Sequence, residues 1–145
     1  MDFLTALQIS SSALSAQRLR MDVISSNLAN ISTTRSPEGG PYRRREVVFA
    51  SQPADTGFGE TLKTAMDNSL QTVEVTDVII DSRPPKMIYD PGHPDANTSG
   101  YVAVPDINVM EEMVNILSAT RSYEANVAVV NATKSMVTKA LEIGR

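Results

Sequence analysis

From Asp106 to Arg145 apolar residues recur at alternating steps of three and four: Val109, Met113, Ile116, Tyr123, Val127, Val130, Val137 and Leu141, interrupted by Thr120 and Lys134. That period predicts a long helix lying along another helix rather than capping a globular core. The first thirty residues carry a matching line at seven-residue spacing, Leu7, Leu14, Met21 and Leu28, supplemented by Ile24 and Ile31 and interrupted by Ser10 and Gln17. Polar residues at seam positions lower stability but can specify register and partner.

Between these ends the pattern changes. All eight prolines and six of the seven glycines lie between Pro37 and Pro105, so neither end contains a proline to break it. The chain divides into an N-terminal helix (1–36), a β-rich middle segment (37–105) and a C-terminal helix (106–145). Asn108 and Glu111 have the spacing of a capping box at the start of the second helix, and Gly144 marks its end. In the middle, Arg43–Ala50 and Val73–Asp81 alternate as strands, with Val47 and Phe49 assigned to one face. Met87–Tyr89 and Tyr101–Val104 are expected to pair with Val73–Asp81 across turns at Asp90–Pro94 and Asn97–Gly100. Leu62, Met66 and Leu70 sit at helical spacing in a stretch that suits a loop equally well. The expected fold class is α+β: long N- and C-terminal helices packing as a coiled coil, with a small β-rich middle segment.

Composition narrows the function. Aromatics make up 5% of the 145 residues and tryptophan is absent, which predicts a thin core. A net charge of −4 and a pI near 4.9 oppose nucleic-acid binding. Without cysteine the chain has neither disulfides nor thiolate metal sites. No run of apolar residues is long enough to span a membrane, and the N-terminus lacks the features of a cleaved signal peptide.

The candidate chemistry is sparse. His93, the single histidine, sits in a proline-flanked turn between Asp90 and Asp95, where a zinc site would need only carboxylates as its other ligands. A hydrolase built on these three residues is one reading; a solvated turn is the plainer one. Tyr42-Arg43-Arg44-Arg45 is the one basic run, read as a strand edge whose charges are solvated or paired with acidic groups. Glu111 and Glu112 are adjacent on a helix, so they point about 100° apart, unsuited to shared acid–base work but favourable at a helix N-terminus. Asn27 and Asn30 lie on nearly one face, either ending the helix or fixing a neighbouring backbone. No catalytic residue, cofactor site or metal site is expected.

Ser25-Ser26-Asn27-Leu28-Ala29-Asn30-Ile31-Ser32-Thr33-Thr34 resembles the N-terminal signature of the bacterial flagellar rod and hook axial proteins. Its continuation through Gly39-Gly40-Pro41-Tyr42-Arg43-Arg44 is similar to proximal rod subunits, as are Asp90–Ala96, Gly100–Val102, Met110–Asn115, Ser122–Val127 and Leu141–Arg145. The resemblance implies a structural subunit of the periplasmic rod, the drive shaft between the MS ring and export gate and the distal rod. It implies export by the flagellar type III apparatus, and as partners other rod proteins, MS-ring/export-gate junction proteins and further copies of the chain. The expected assembly interface is Leu7, Leu14, Met21, Asn27, Leu28, Asn30, Val109, Met113, Ile116, Tyr123, Val127, Val130, Val137 and Leu141. Helices with few tertiary partners are marginal in water, so mobile termini in the free subunit are a further expectation. A cytoplasmic coiled-coil adaptor dimerising through the C-terminal helix is the competing reading.

Overall fold

The computed structural model describes residues 3–53 and 71–143; the readings of Leu62, Met66, Leu70 and Gly144 lie outside them. The elements are α1 (Phe3–Ala29), β1 (Arg45–Pro53), β2 (Gln71–Ile80), β3 (Lys86–Tyr89), β4 (Tyr101–Val104) and α2 (Val109–Ile143). The architecture is α+β, with two long helices and a small β-rich middle. At 1.5 Å per residue α1 is about 40 Å long and α2 about 52 Å.

The helices pack side by side and antiparallel. Asn27 near the end of α1 meets Glu112 at the start of α2, whereas Met21 meets Thr120 about two turns further along. The β1–β2 hairpin packs on α1 from another side. Ser12 Oγ of α1 accepts from the Val73 N–H, and the Arg20 guanidinium lies 6.0 Å from the centre of the Phe49 ring. Thus α1 runs in a trough between the hairpin and α2.

Alternation explains which side of the hairpin meets the helix. Val47 and Phe49 are half-buried while Glu46 and Val48 are exposed, as are Thr76 and Asp77 on β2. The ladder shifts register between Val48 and Phe49, where Thr76 is left without a partner in β1. Its hydroxyl donates to the Val48 carbonyl instead.

The expected pairing of Met87–Tyr89 and Tyr101–Val104 with Val73–Asp81 does not occur. β3 and β4 pair with each other as a separate antiparallel sheet, Tyr89 opposite Tyr101. The cause is local: Asp81 is followed by Arg83, Pro84 and Pro85, and β3 starts only after this break. The β3–β4 turn is closed by Asn97, whose carboxamide oxygen accepts from the Ser99 and Tyr101 N–H groups. Gly100 is required there. It adopts φ +80°, and a Cβ would meet the Tyr89 ring at 2.9 Å. Val102 in β4 and Ile107, just before α2, are buried.

α2 starts at Asn108, whose side-chain oxygen accepts from the Met110 N–H at 3.0 Å. The expected reciprocal bond from Glu111 is replaced: its carboxylate lies 3.9 Å from Arg44.

Candidate assembly interface

Asn27 is 1% exposed, and its carboxamide uses every hydrogen-bonding position it has. Nδ2 donates to the Arg45 carbonyl at 2.8 Å and to Glu112 Oε2 at 3.2 Å. Oδ1 accepts from the Arg45 N–H at 2.9 Å and from the Tyr42 hydroxyl at 3.0 Å. Arg45 stands opposite Ile80 in the ladder, yet its backbone groups turn away from β2, and Asn27 serves as their missing strand partner. One side chain therefore binds α1 to both walls of its trough.

Glu112 is also 1% exposed, and the Arg44 side chain is only 11% exposed. Arg44 Nε donates to Glu112 Oε1 at 2.8 Å, so both carboxylate oxygens are satisfied. Burial by itself would lower the Arg44 pKa. The hydrogen bond and charge of Glu112, with Glu46 and Glu111 adding to them, hold it above its ordinary value. A desolvated carboxylate is tolerated only with such pairing.

Exposed ties surround this buried joint. Asp95 accepts from the Thr34 hydroxyl at 2.8 Å and from Arg35 at 2.6 Å, tying the segment after α1 to the β3–β4 turn. Lys86 reaches Asp106 at 2.7 Å, and Asp81 accepts from the Arg83 side chain and N–H. The Thr34 hydroxyl with Arg35, the Lys86 ammonium and the Arg83 donors hold Asp95, Asp106 and Asp81, respectively, below the usual carboxylate range. His93 Nδ1 accepts from the Asp95 N–H, and Asp90 from the Gly92 N–H; these are turn bonds. No group of three acidic, His or Cys residues among the described residues could hold a metal ion.

The residues expected in the interface divide by position. Ile116, Tyr123, Val127, Val130 and Val137 are half-buried, as are Leu7, Leu14, Met21 and Leu28. Asn27 lies in the joint. Asn30 closes α1 on itself, its Nδ2 donating to the Ser26 carbonyl and its Oδ1 accepting from Thr33. Val109, Met113 and Leu141 are exposed. The buried line on α2 is instead Glu112, Ala119 and Thr133, with Asn126 at the same heptad position half-buried. Thr133 and Thr120 are accommodated because each hydroxyl donates to a carbonyl one turn back, on Val129 and Ile116. Thr120 also faces Met21 of its own chain, and Lys134 is exposed.

Away from α1, the start of α2 presents Met110, Met113, Val114 and Leu117 to solvent, and its far half presents Val129, Met136, Leu141 and Ile143. A helix with apolar residues on both sides, but only one side covered, has spare surface for a partner.

Two family profiles match the helical ends. One described as "Flagella basal body rod protein" covers residues 7–35, and one described as "Flagellar basal body rod FlgEFG protein C-terminal" covers residues 98–143. The flagellar basal-body rod protein FlgC of Borreliella burgdorferi is 45% identical, the match covering 99% of this chain and 98% of that protein. The chain belongs to the FlgC family of flagellar basal-body rod proteins. FlgC of Bacillus subtilis is 47% identical, with 97% of each chain covered. FlgC of Salmonella typhimurium is 41% identical, with both chains fully covered. FlgC membership makes the chain a structural rod subunit rather than a cytoplasmic adaptor.

Proposed function

We propose that this rod subunit polymerises through its terminal helices, with the outward face of α2 meeting neighbouring rod subunits, and that it catalyses no reaction. The supporting observation is the spare apolar surface of α2. The intrachain pairing occupies the side bearing Glu112, Ala119 and Thr133, leaving Met110, Val114 and Leu117 uncovered. Burying such side chains contributes roughly 1.5–3 kcal/mol each before ordering entropy is subtracted. Leu7, Leu14, Met21, Leu28, Ile116, Tyr123, Val130 and Val137 then shape the subunit that is incorporated, whereas Val109, Met113 and Leu141 can meet a neighbour directly.

Copies of the chain, other rod proteins and the MS-ring/export-gate junction proteins are the proposed neighbours, in the periplasmic rod. Export through the flagellar type III apparatus without a cleaved signal peptide is part of the same reading. No described helix is long and apolar enough to cross a membrane.

Leu117→Asp tests it. The exposed site lets the monomer fold with an unchanged melting curve, but a charge in the assembled interface is costly. The variant should be absent from detergent-extracted basal bodies and the cells non-motile; normal incorporation and motility would contradict the proposal.

A further inference from the structure

The contact between α1 and α2 is unusual in what it buries. Ser10 on α1 and Ala119 and Thr133 on α2 are buried, while no large apolar side chain of α2 is. Both helices carry heptad lines in which Ile24 is the one large apolar residue: Ser10, Gln17, Ile24 on α1 and Glu112, Ala119, Asn126, Thr133 on α2. Displacing one helix by seven residues brings similar positions opposite one another again. Small side chains give shallow knobs and holes, so packing alone discriminates weakly between such alignments. Gln17 does not help, because its Oε1 is buried without a partner.

α1 connects to the rest of the chain through Asn30–Arg44, which turns at Gly39 and Gly40 with φ of +87° and +79° and is closed by the Tyr42 N–H donating to the Thr33 carbonyl. Asn27 is the residue of α1 that bonds both walls of the trough, β1 through Arg45 and α2 through Glu112. Neither amino-acid type is exchangeable for its near-isostere. An Asp at 27 would set a carboxylate oxygen against the Arg45 carbonyl and Glu112. A Gln at 112 would turn an NH2 toward either Asn27 Nδ2 or Arg44 Nε, both donors.

We propose that the Asn27–Glu112–Arg44 joint is a register pin, selecting one longitudinal alignment of α1 in its trough from several that a seam of small and polar residues accepts. A single buried polar contact can fix register in this way, because every displaced alignment leaves it unpaired. Alignment matters beyond the joint, since it decides how much of α2 extends past α1.

The absence of cysteine permits site-specific spin labels at two exposed serines, Ser11→Cys on α1 and Ser118→Cys on α2. Double electron–electron resonance on the purified full chain should give one narrow distance in the otherwise unaltered protein. N27D and E112Q should each add a second population displaced by about 10 Å, the rise of seven helical residues. A119G weakens the same seam away from the joint and should keep the single distance. Unmoved single distances in folded N27D and E112Q would overturn the proposal, as would a displaced population in A119G. If N27D and E112Q lose helical structure, N27S, uncharged and too short to reach Glu112, decides the matter: a second population supports the pin, and an unchanged distance overturns it.

Discussion

The two ends of the helix pair are built on opposite principles. Where α1 ends and α2 begins, polar groups are buried and paired: Asn27 uses all its hydrogen-bonding positions, two of them on the Arg45 backbone, and Arg44 holds Glu112. At the far end of α2 the situation reverses. Leu141 is 70% exposed and Ile143 86%, apolar side chains with nothing covering them. Buried polar networks are demanding, since any missing partner is costly, and so they define one arrangement. Open apolar surface tolerates many neighbours. The subunit is thus determined internally at one end and left for assembly to complete at the other.

Removing one partner from the joint should break this contrast most severely. Arg44→Ala strands the Glu112 carboxylate in a buried site and should cost about 3–5 kcal/mol, read from the urea midpoint of the purified chain. Asn27→Ala leaves the Arg45 N–H and carbonyl without partners and should cost about 2–3 kcal/mol in the same assay. Ala119→Leu adds bulk at the most buried point of the seam and should cost about 1–3 kcal/mol by overpacking. At the other end, Ile143→Ser should change monomer stability by no more than about 0.5 kcal/mol while reducing incorporation into basal bodies. A monomer destabilised as much by Ile143→Ser as by Asn27→Ala would erase the distinction.

Acid sharpens the same comparison. Asp81, Asp95 and Asp106 have folded-state pKa values below the unfolded value near 3.8, so each contributes stability that is fully present above that pH. The contribution is lost as pH falls from about 4 through the depressed values. Amide exchange in acid should therefore rise first around the Thr34–Asp95 and Lys86–Asp106 ties. Arg35→Ala should weaken the pH dependence slightly, because that partner is largely exposed and screened.

Hydrophobic periodicity made the two helices legible, and proline and glycine placement bracketed the β-rich middle. It located the seam less well. The apolar stripe from Val109 to Leu141 has a period of 3.5, whereas a straight helix has 3.6, so the stripe drifts around the surface. Ile116, Tyr123, Val130 and Val137 face inward, while Val109, Met113 and Leu141 turn out. The central line of Glu112, Ala119, Asn126 and Thr133 was present as a heptad, but none of its members is a large apolar residue. Glu112 itself looked like half of an acidic pair at a helix start. Nothing local distinguishes it from Glu111; its role comes from Arg44 and Asn27, 68 and 85 residues away. Strand pairing failed for a related reason, because alternation predicts strands but not which strands meet.

Expected mobility at both termini also takes a more specific form. α1 is covered by the hairpin on one side and α2 on another, whereas the last turn of α2 is bare. Residue-resolved native-state amide exchange on the dilute full-length chain tests this most directly. Near-global protection is expected for the Arg45 amide and for residues 112–120, falling steeply to rapid exchange over 139–143. Protection that stays uniform along α2 to Ile143, or an Arg45 amide that exchanges as fast as the chain end, would contradict it.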